Sequence, residues 1–121
     1  MAEQEKLVIL ATHGPHSPEL ATIPFVMACA ALASDVEVVR GFQGDAVCLM
    51  HQGEPETVEA PGFPPLAKLV NDFRDLGGKA LVCGPCVNSR GIADTLIDGA
   101  EIVAAARFVA EITSAKATLT Y

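Results

Sequence analysis

KALVCGPCVNSRGI, residues 79–92, brings two thiols, Cys83 and Cys86, within three positions of each other. They follow a short apolar run and precede a segment that can open a helix. Reading KALVC, residues 79–83, as a buried strand that leads into a helix start decides the class of fold, because strands and helices alternate along the rest of the chain.

KLVILAT, residues 6–12, is a continuous apolar run without alternation, which suits a strand covered on both faces. It ends in HGPHSPEL, where Ser17 is a good N-cap, Pro18 fits the first helical position and Glu19 lies near the positive helix end. The Ala-rich stretch to about Ser34 then reads as a buried helix, with Pro24 as a kink. VEVVRGF, residues 36–42, is a short β-branched strand, and GDAVCLMHQG suggests a short turn of helix between Asp45 and Gly53. Leu66, Leu69, Val70, Phe73 and Leu76 fall at helical spacing opposite Lys68, Asp72, Arg74 and Asp75, and a Gly pair closes that segment. ATLTY, residues 117–121, is a terminal strand. Residues 100–115 read two ways: Ile102, Ala105, Ala106, Val109 and Ile112 have helical spacing, while AEIV alone fits a strand. The pattern predicts a three-layer α/β domain around a mostly parallel sheet, occupying residues 1–121 as one unit. Ligands in such sheets sit beyond the carboxyl ends of the strands, so THGPH and CGPC are expected on one functional edge.

The 121 residues are 50% hydrophobic, enough to bury a core without disulfide staples. No uncharged apolar run reaches about 18 residues, and MAEQEK lacks the basic-then-apolar pattern of a signal peptide, so the expectation is a soluble cytoplasmic protein without a membrane partner. In reducing cytosol a C-x-x-C pair is catalytic, carrier or metal-binding more often than a permanent disulfide. Fifteen acids against eight Lys and Arg give a net charge of −7 with no basic run, which excludes nucleic acid as the expected partner. QGEPETVEAPGFPP, residues 52–65, reads as a surface excursion within the domain.

Cys83 falls where the strand ends and Cys86 where the helix begins. Backbone N–H groups and the helix dipole there favour a thiolate, and Arg90 adds positive charge, so the thiol pKa is expected to fall. Such a thiolate attacks a sulfane sulfur or a disulfide. Against this stands a reading of both cysteines as small core fillers. CGPC matches the thioredoxin active-site string, but the aromatic neighbour that accompanies it there is absent. His13 and His16 give H-x-x-H nearby, and with the two cysteines they supply the ligand types of a Cys2His2 zinc site. His16 is better read as an exposed loop residue and His13 as a polar neighbour of the thiol. Cys29, in an apolar helix, and Cys48, between Val47 and Leu49, are read as core. Asn88 and Ser89 read as caps, and Gly91 serves backbone geometry.

With these residues placed, the chain resembles the DsrE/DsrF-like family of sulfur-relay proteins over nearly its whole length. VCGPCVNSRG carries most of the likeness. In sulfur-carrying members the reactive cysteine follows a strand, with a basic residue and a Gly seven and eight positions later, as Cys83, Arg90 and Gly91 are spaced here. THGPHSPELATIPFVMACA resembles the family's first loop and helix, GFQGDAVCLM its second strand and turn, and KATLTY its closing strand. The chain departs from the simplest single-cysteine carriers in having Cys86.

The resemblance implies a five-stranded αβα sandwich with a strand near residues 100–103, assembled as a homotrimer or homohexamer. It implies sulfane sulfur carried as a persulfide on Cys83, with Cys86, His13 and Arg90 around it. The sulfur would pass to or from a small carrier protein, TusA-like, or a sulfurtransferase, with no cofactor and no bound metal. A mean hydropathy of +0.36 agrees with self-association. Two other readings remain open: a thiol peroxidase or disulfide oxidoreductase in which Cys86 resolves Cys83, and the Cys2His2 zinc module.

Overall fold

The computed structural model describes residues 4–121. Five strands, β1 (Lys6–Ala11), β2 (Glu37–Phe42), β3 (Lys79–Cys83), β4 (Ala100–Val103) and β5 (Ala117–Thr120), form one sheet in the order β4-β3-β2-β1-β5. Every pairing is parallel. The helices are α1 (Pro18–Ala33), α2 (Leu66–Asp75), α3 (Gly84–Ser89) and α4 (Ala105–Thr113), with 3-10 helices at Gly44–Met50 and Pro55–Thr57. The expected α/β class and the five-stranded sandwich are both met.

The unalternating apolar runs behave as a doubly covered sheet requires. Successive side chains of a strand face opposite ways, and here both sides are apolar. Ile9, Val38, Phe42, Ala80 and Val82 join Phe25, Leu69, Val70 and Phe73 of α1 and α2 in one core. Val8, Val39, Leu81 and Val103 meet Phe108 of α4 in the other. Phe25 stacks at 5.8 Å from Phe42 and edge-on at 5.7 Å from Phe73, locking α1 between the sheet and α2. Each fully buried side chain of this size contributes about 1.5–3 kcal/mol. Gly41 makes room on the second face, since a Cβ there would collide with Leu10 and the Phe108 ring.

Ser17 takes the N-cap position of α1, but its side chain makes no capping hydrogen bond; its carbonyl instead accepts the Ala21 N–H at 2.8 Å. Pro24 lies inside the helix, which withholds the N–H that Leu20 would otherwise receive. The ambiguous region divides into β4 and α4, so the apparent helical period that began at Ile102 ran across a strand-to-helix junction. The 52–65 excursion is anchored rather than purely superficial: Val58 and Ala60 are buried, and the Val58 carbonyl accepts the Leu66 N–H.

One core residue was not anticipated. Arg40, in the middle of β2, is completely buried, with its guanidinium carbon 4.3 and 4.4 Å from the ring centres of Phe25 and Phe42. Among the described residues none of its three side-chain nitrogens finds a hydrogen-bond partner. Burial drives its pKa down to about 9. No helix among the described residues is long and apolar enough to cross a membrane.

Candidate functional site

Parallel strands all end at one edge of the sheet, and at that edge β3 delivers Cys83 to the N-cap of α3. Cys86 lies one turn into the helix, and its thiol donates to the Cys83 Sγ at 2.8 Å. Both thiols are free and partly buried. The C-x-x-C spacing produces this contact because the N-cap and the third helical position face each other across the first turn, as in an N-terminal capping pair.

A second segment closes on the pair. The β2 strand ends at Phe42, and the backbone turns at Gly44, with φ +57°, into the 3-10 helix. The Gly44 N–H then points at Cys86 Sγ, 3.3 Å away. The loop after β1 packs against the same turn, where Gly14 is needed because a Cβ would strike the Asp45 carbonyl.

Arg90 completes the arrangement from the far end of α3. The helix stops in a Schellman turn: Ile92 N–H bonds to the Val87 carbonyl, Gly91 N–H to the Asn88 carbonyl, and Gly91 takes φ +67°. Gly91 therefore has the backbone role expected of it. Arg90 folds back, donating from Nη1 to the Cys86 carbonyl at 3.2 Å and from Nη2 to Asp45 Oδ1 at 2.7 Å. The ion pair holds the Asp45 carboxyl below its ordinary range and raises the guanidinium.

The expected fall in the Cys83 pKa is not met. Burial pushes this thiol upward, and the hydrogen bond with the Cys86 thiol adds to the shift. The Cys86 backbone N–H and the Arg90 charge act in the opposite direction but do not prevail. Partial burial at the strand end outweighs the opening of a helix only six residues long.

The histidines contribute less than their spacing suggests. His13 is partly buried with Nδ1 unpartnered, and no hydrogen bond among the described residues ties His13 or His16 to either thiol. No three His, Cys, Asp or Glu side chains among the described residues converge in a metal-binding geometry, so the Cys2His2 arrangement does not assemble here. Cys29 is only partly buried, its thiol directed at the Leu69 carbonyl at 3.5 Å, and burial raises its pKa.

Cys48 corrects the reading of it as core. Val47 and Leu49 are fully buried, yet Cys48 is only partly so. In a 3-10 helix residues three apart eclipse, so Asp45 and Cys48 share a face while Ala46, Val47, Leu49 and Met50 fill the other two. The period-three pattern in GDAVCLM was the available signal.

A doubly wound α/β protein with a thiol pair at the carboxyl edge of its sheet is the class that this geometry defines. The sequence profile of the DsrE/DsrF-like family matches residues 5–121. The chain belongs to that family, which is generally related to sulfur relay. It is 34% identical over 106 residues to the uncharacterized protein MJ0760 of Methanocaldococcus jannaschii, covering 87% of this chain but 38% of that protein. In fold it is similar to the YchN protein of E. coli, with a TM-score of 0.82, 24% identity, and coverage of 98% of this chain and 100% of that one. It is also similar to BT1422, a conserved protein of unknown function from Bacteroides thetaiotaomicron, at TM-score 0.72 and 13% identity, covering 97% of this chain and 95% of that one.

Proposed function

We propose that the protein carries sulfane sulfur as a persulfide on Cys83 and passes it to or from a partner carrier. The observation that supports this most is the position of Cys83 at the end of β3, with the Cys86 thiol 2.8 Å away. In loading, the Cys83 thiolate attacks the sulfane sulfur of a donor. The donor's S–S bond breaks, the donor leaves as a thiolate, and Cys83 becomes Cys–S–SH. Delivery is the same exchange with an acceptor thiolate, so neither step needs a cofactor or a net redox change. Arg90 supplies positive charge beside the developing anion. His13 supplies a partly buried polar ring on the neighbouring loop.

The acidic surface, with a net charge of −7, favours a protein partner such as a small TusA-like carrier or a sulfurtransferase in a reducing compartment such as the cytoplasm. Ile102 on the edge strand β4 and Val109 on α4 are 45% and 57% exposed, which supports a homotrimer or homohexamer. Light scattering that found only monomer would overturn that part.

The thiol–thiol contact also favours a second reading, a disulfide oxidoreductase or thiol peroxidase. Cys86 attacking the inner sulfur of the Cys83 persulfide would release HS⁻ and leave a Cys83–Cys86 disulfide, which a reductant must then reopen. Incubating the reduced protein with a sulfane-sulfur donor and measuring its intact mass separates the two. One added sulfur is expected for a carrier, and loss of two hydrogens with sulfide release for the oxidoreductase. An unchanged mass would defeat the carrier and the persulfide-resolving oxidoreductase, and absence of peroxide consumption with a thiol reductant would defeat the peroxidase.

A further inference from the structure

We infer that Cys48 is a third working thiol of this site, receiving sulfane sulfur from Cys86 across Arg90. The inference rests on the carrier reading above and deepens it.

The 3-10 helix Gly44–Met50 packs against α3. Its first residue donates the N–H that points at Cys86 Sγ. One residue further along, Asp45 holds the Arg90 guanidinium at 2.7 Å, and Cys48 lies three positions on from Asp45, eclipsed with it on the same face. Arg90 also touches the Cys86 carbonyl. The Arg90 guanidinium therefore ties the C-x-x-C helix to the face of the 3-10 helix that carries Cys48.

Two of the three faces of this 3-10 helix are buried. The third could carry any polar residue at position 48, and it carries a partly exposed thiol. Burial raises the Cys48 thiol, and the Arg90 charge pulls it the other way. Cys29 is a partly buried thiol too, but it lies on α1, facing Leu69 of α2.

The step is an exchange between thiols. Cys48 thiolate attacks the outer sulfur of a Cys86 persulfide, the bond from that sulfur to Cys86 breaks, and Cys86 leaves as the thiolate, taking the proton that Cys48 gave up. Cys86 receives its sulfur from Cys83 by the same reaction. One S–S bond forms as one breaks, and no oxidant or reductant is consumed.

Trypsin separates the thiols cleanly. Cys83 and Cys86 fall on peptide 80–90, Cys48 alone on 41–68 and Cys29 alone on 7–40. The full chain is loaded with a limiting sulfane donor, trapped with iodoacetamide at intervals, digested, and scored for alkylated persulfide on each peptide. Label is expected on 80–90 first and on 41–68 later, with 7–40 unlabelled. In Cys86→Ser, which keeps Cys83, label on 41–68 should fall by at least about tenfold while 80–90 still loads. Arg90→Gln, in which loss of the tryptic site leaves Cys83 and Cys86 on peptide 80–107, should delay the appearance on 41–68 more than that on 80–107.

Label that stays on 80–90 overturns the role of Cys48 and leaves the carrier reading intact. The same holds if 41–68 and 7–40 label alike, or if 41–68 labels equally without Cys86. Label on no peptide removes the carrier reading and this inference together.

Discussion

Arg90 Nη2 lies 2.7 Å from Asp45 Oδ1, tying the end of α3 to the start of the 3-10 helix that follows β2. The two residues are 45 positions apart, and this ion pair is the charged link between the segments carrying Cys86 and Cys48. Asp45 competes with any sulfur anion for the guanidinium. Releasing Arg90 with Asp45→Asn should therefore speed persulfide loading several-fold, whereas Arg90→Gln should slow it by a similar factor. Both side chains reach solvent, so thermal melting should barely move in either variant. Stopped-flow measurement of loading against a fixed donor concentration decides the matter, and equal rates in the three proteins would show that Arg90 acts only as a helix-end strut.

The raised pKa of Cys83 sets the pH dependence of that same reaction. Only the thiolate attacks, and below the pKa its fraction grows about tenfold per pH unit. Because burial and the Cys86 thiol push the value up, the loading rate should still be climbing beyond about pH 8.5, the ordinary thiol midpoint. Cys86→Ala removes the thiol contribution and keeps the backbone N–H, so its midpoint should move down. A wild-type rate that levels off near neutrality would contradict the burial argument.

The two thiols of the pair should separate on substitution. Cys83→Ser is expected to abolish loading, because a serine hydroxyl stays protonated and is a poor nucleophile toward sulfur. Cys86→Ser should load, and its persulfide should outlast that of the wild type, since the thiol 2.8 Å away that could form a disulfide is gone. Intact mass followed over time reads both effects. Loss of loading only in Cys86→Ser would exchange the roles.

The fold was legible wherever one physical signal dominated. Unalternating apolar runs announced the parallel strands, and the period of Leu66, Leu69, Val70 and Phe73 announced α2, all four being buried as that period requires. Legibility failed where two signals overlapped. Ile102 continues the helical spacing of Ala105 and Val109 but belongs to β4, because spacing carries no mark of the chain turning at Ala104. At the site, Cys83 and Cys86 were readable since neighbours in sequence are neighbours on a first helical turn. The contributions of Gly44, Asp45 and Cys48 depend on how β2 ends beside β3, a tertiary fact. Cys48 looked like core because its flanking residues are core, and only a three-residue period puts it on a different face from them. Arg40 was passed over inside VEVVRGF because a lone cation in an apolar strand ordinarily signals an edge or exposed face, whereas β2 is interior to the sheet.

That buried Arg40 supplies the most demanding stability test. Taking a cation out of water costs several kcal/mol after relaxation, and three unpartnered nitrogens add to it. The faces of Phe25 and Phe42 return about 2 kcal/mol each when desolvated. The balance favours an apolar side chain of similar length, so Arg40→Met should stabilise the fold by about 1–4 kcal/mol in urea unfolding. The pH dependence carries an independent signature. Burial depresses the folded-state pKa to about 9, while the unfolded chain keeps the ordinary, far higher arginine value. Between those values the unfolded state binds more protons at this residue, so its contribution to stability rises with pH, and below about pH 9 the cost of burying the charge is fully present. Thiols whose folded-state pKa values are raised slope the opposite way, so the arginine contribution must be read as a difference between proteins. The advantage of Arg40→Met over wild type should be constant from pH 6 to about pH 8.5 and shrink above pH 9, as the wild type sheds its buried charge. A variant less stable than wild type at neutral pH would mean that the two aromatic contacts outweigh the desolvation of the guanidinium.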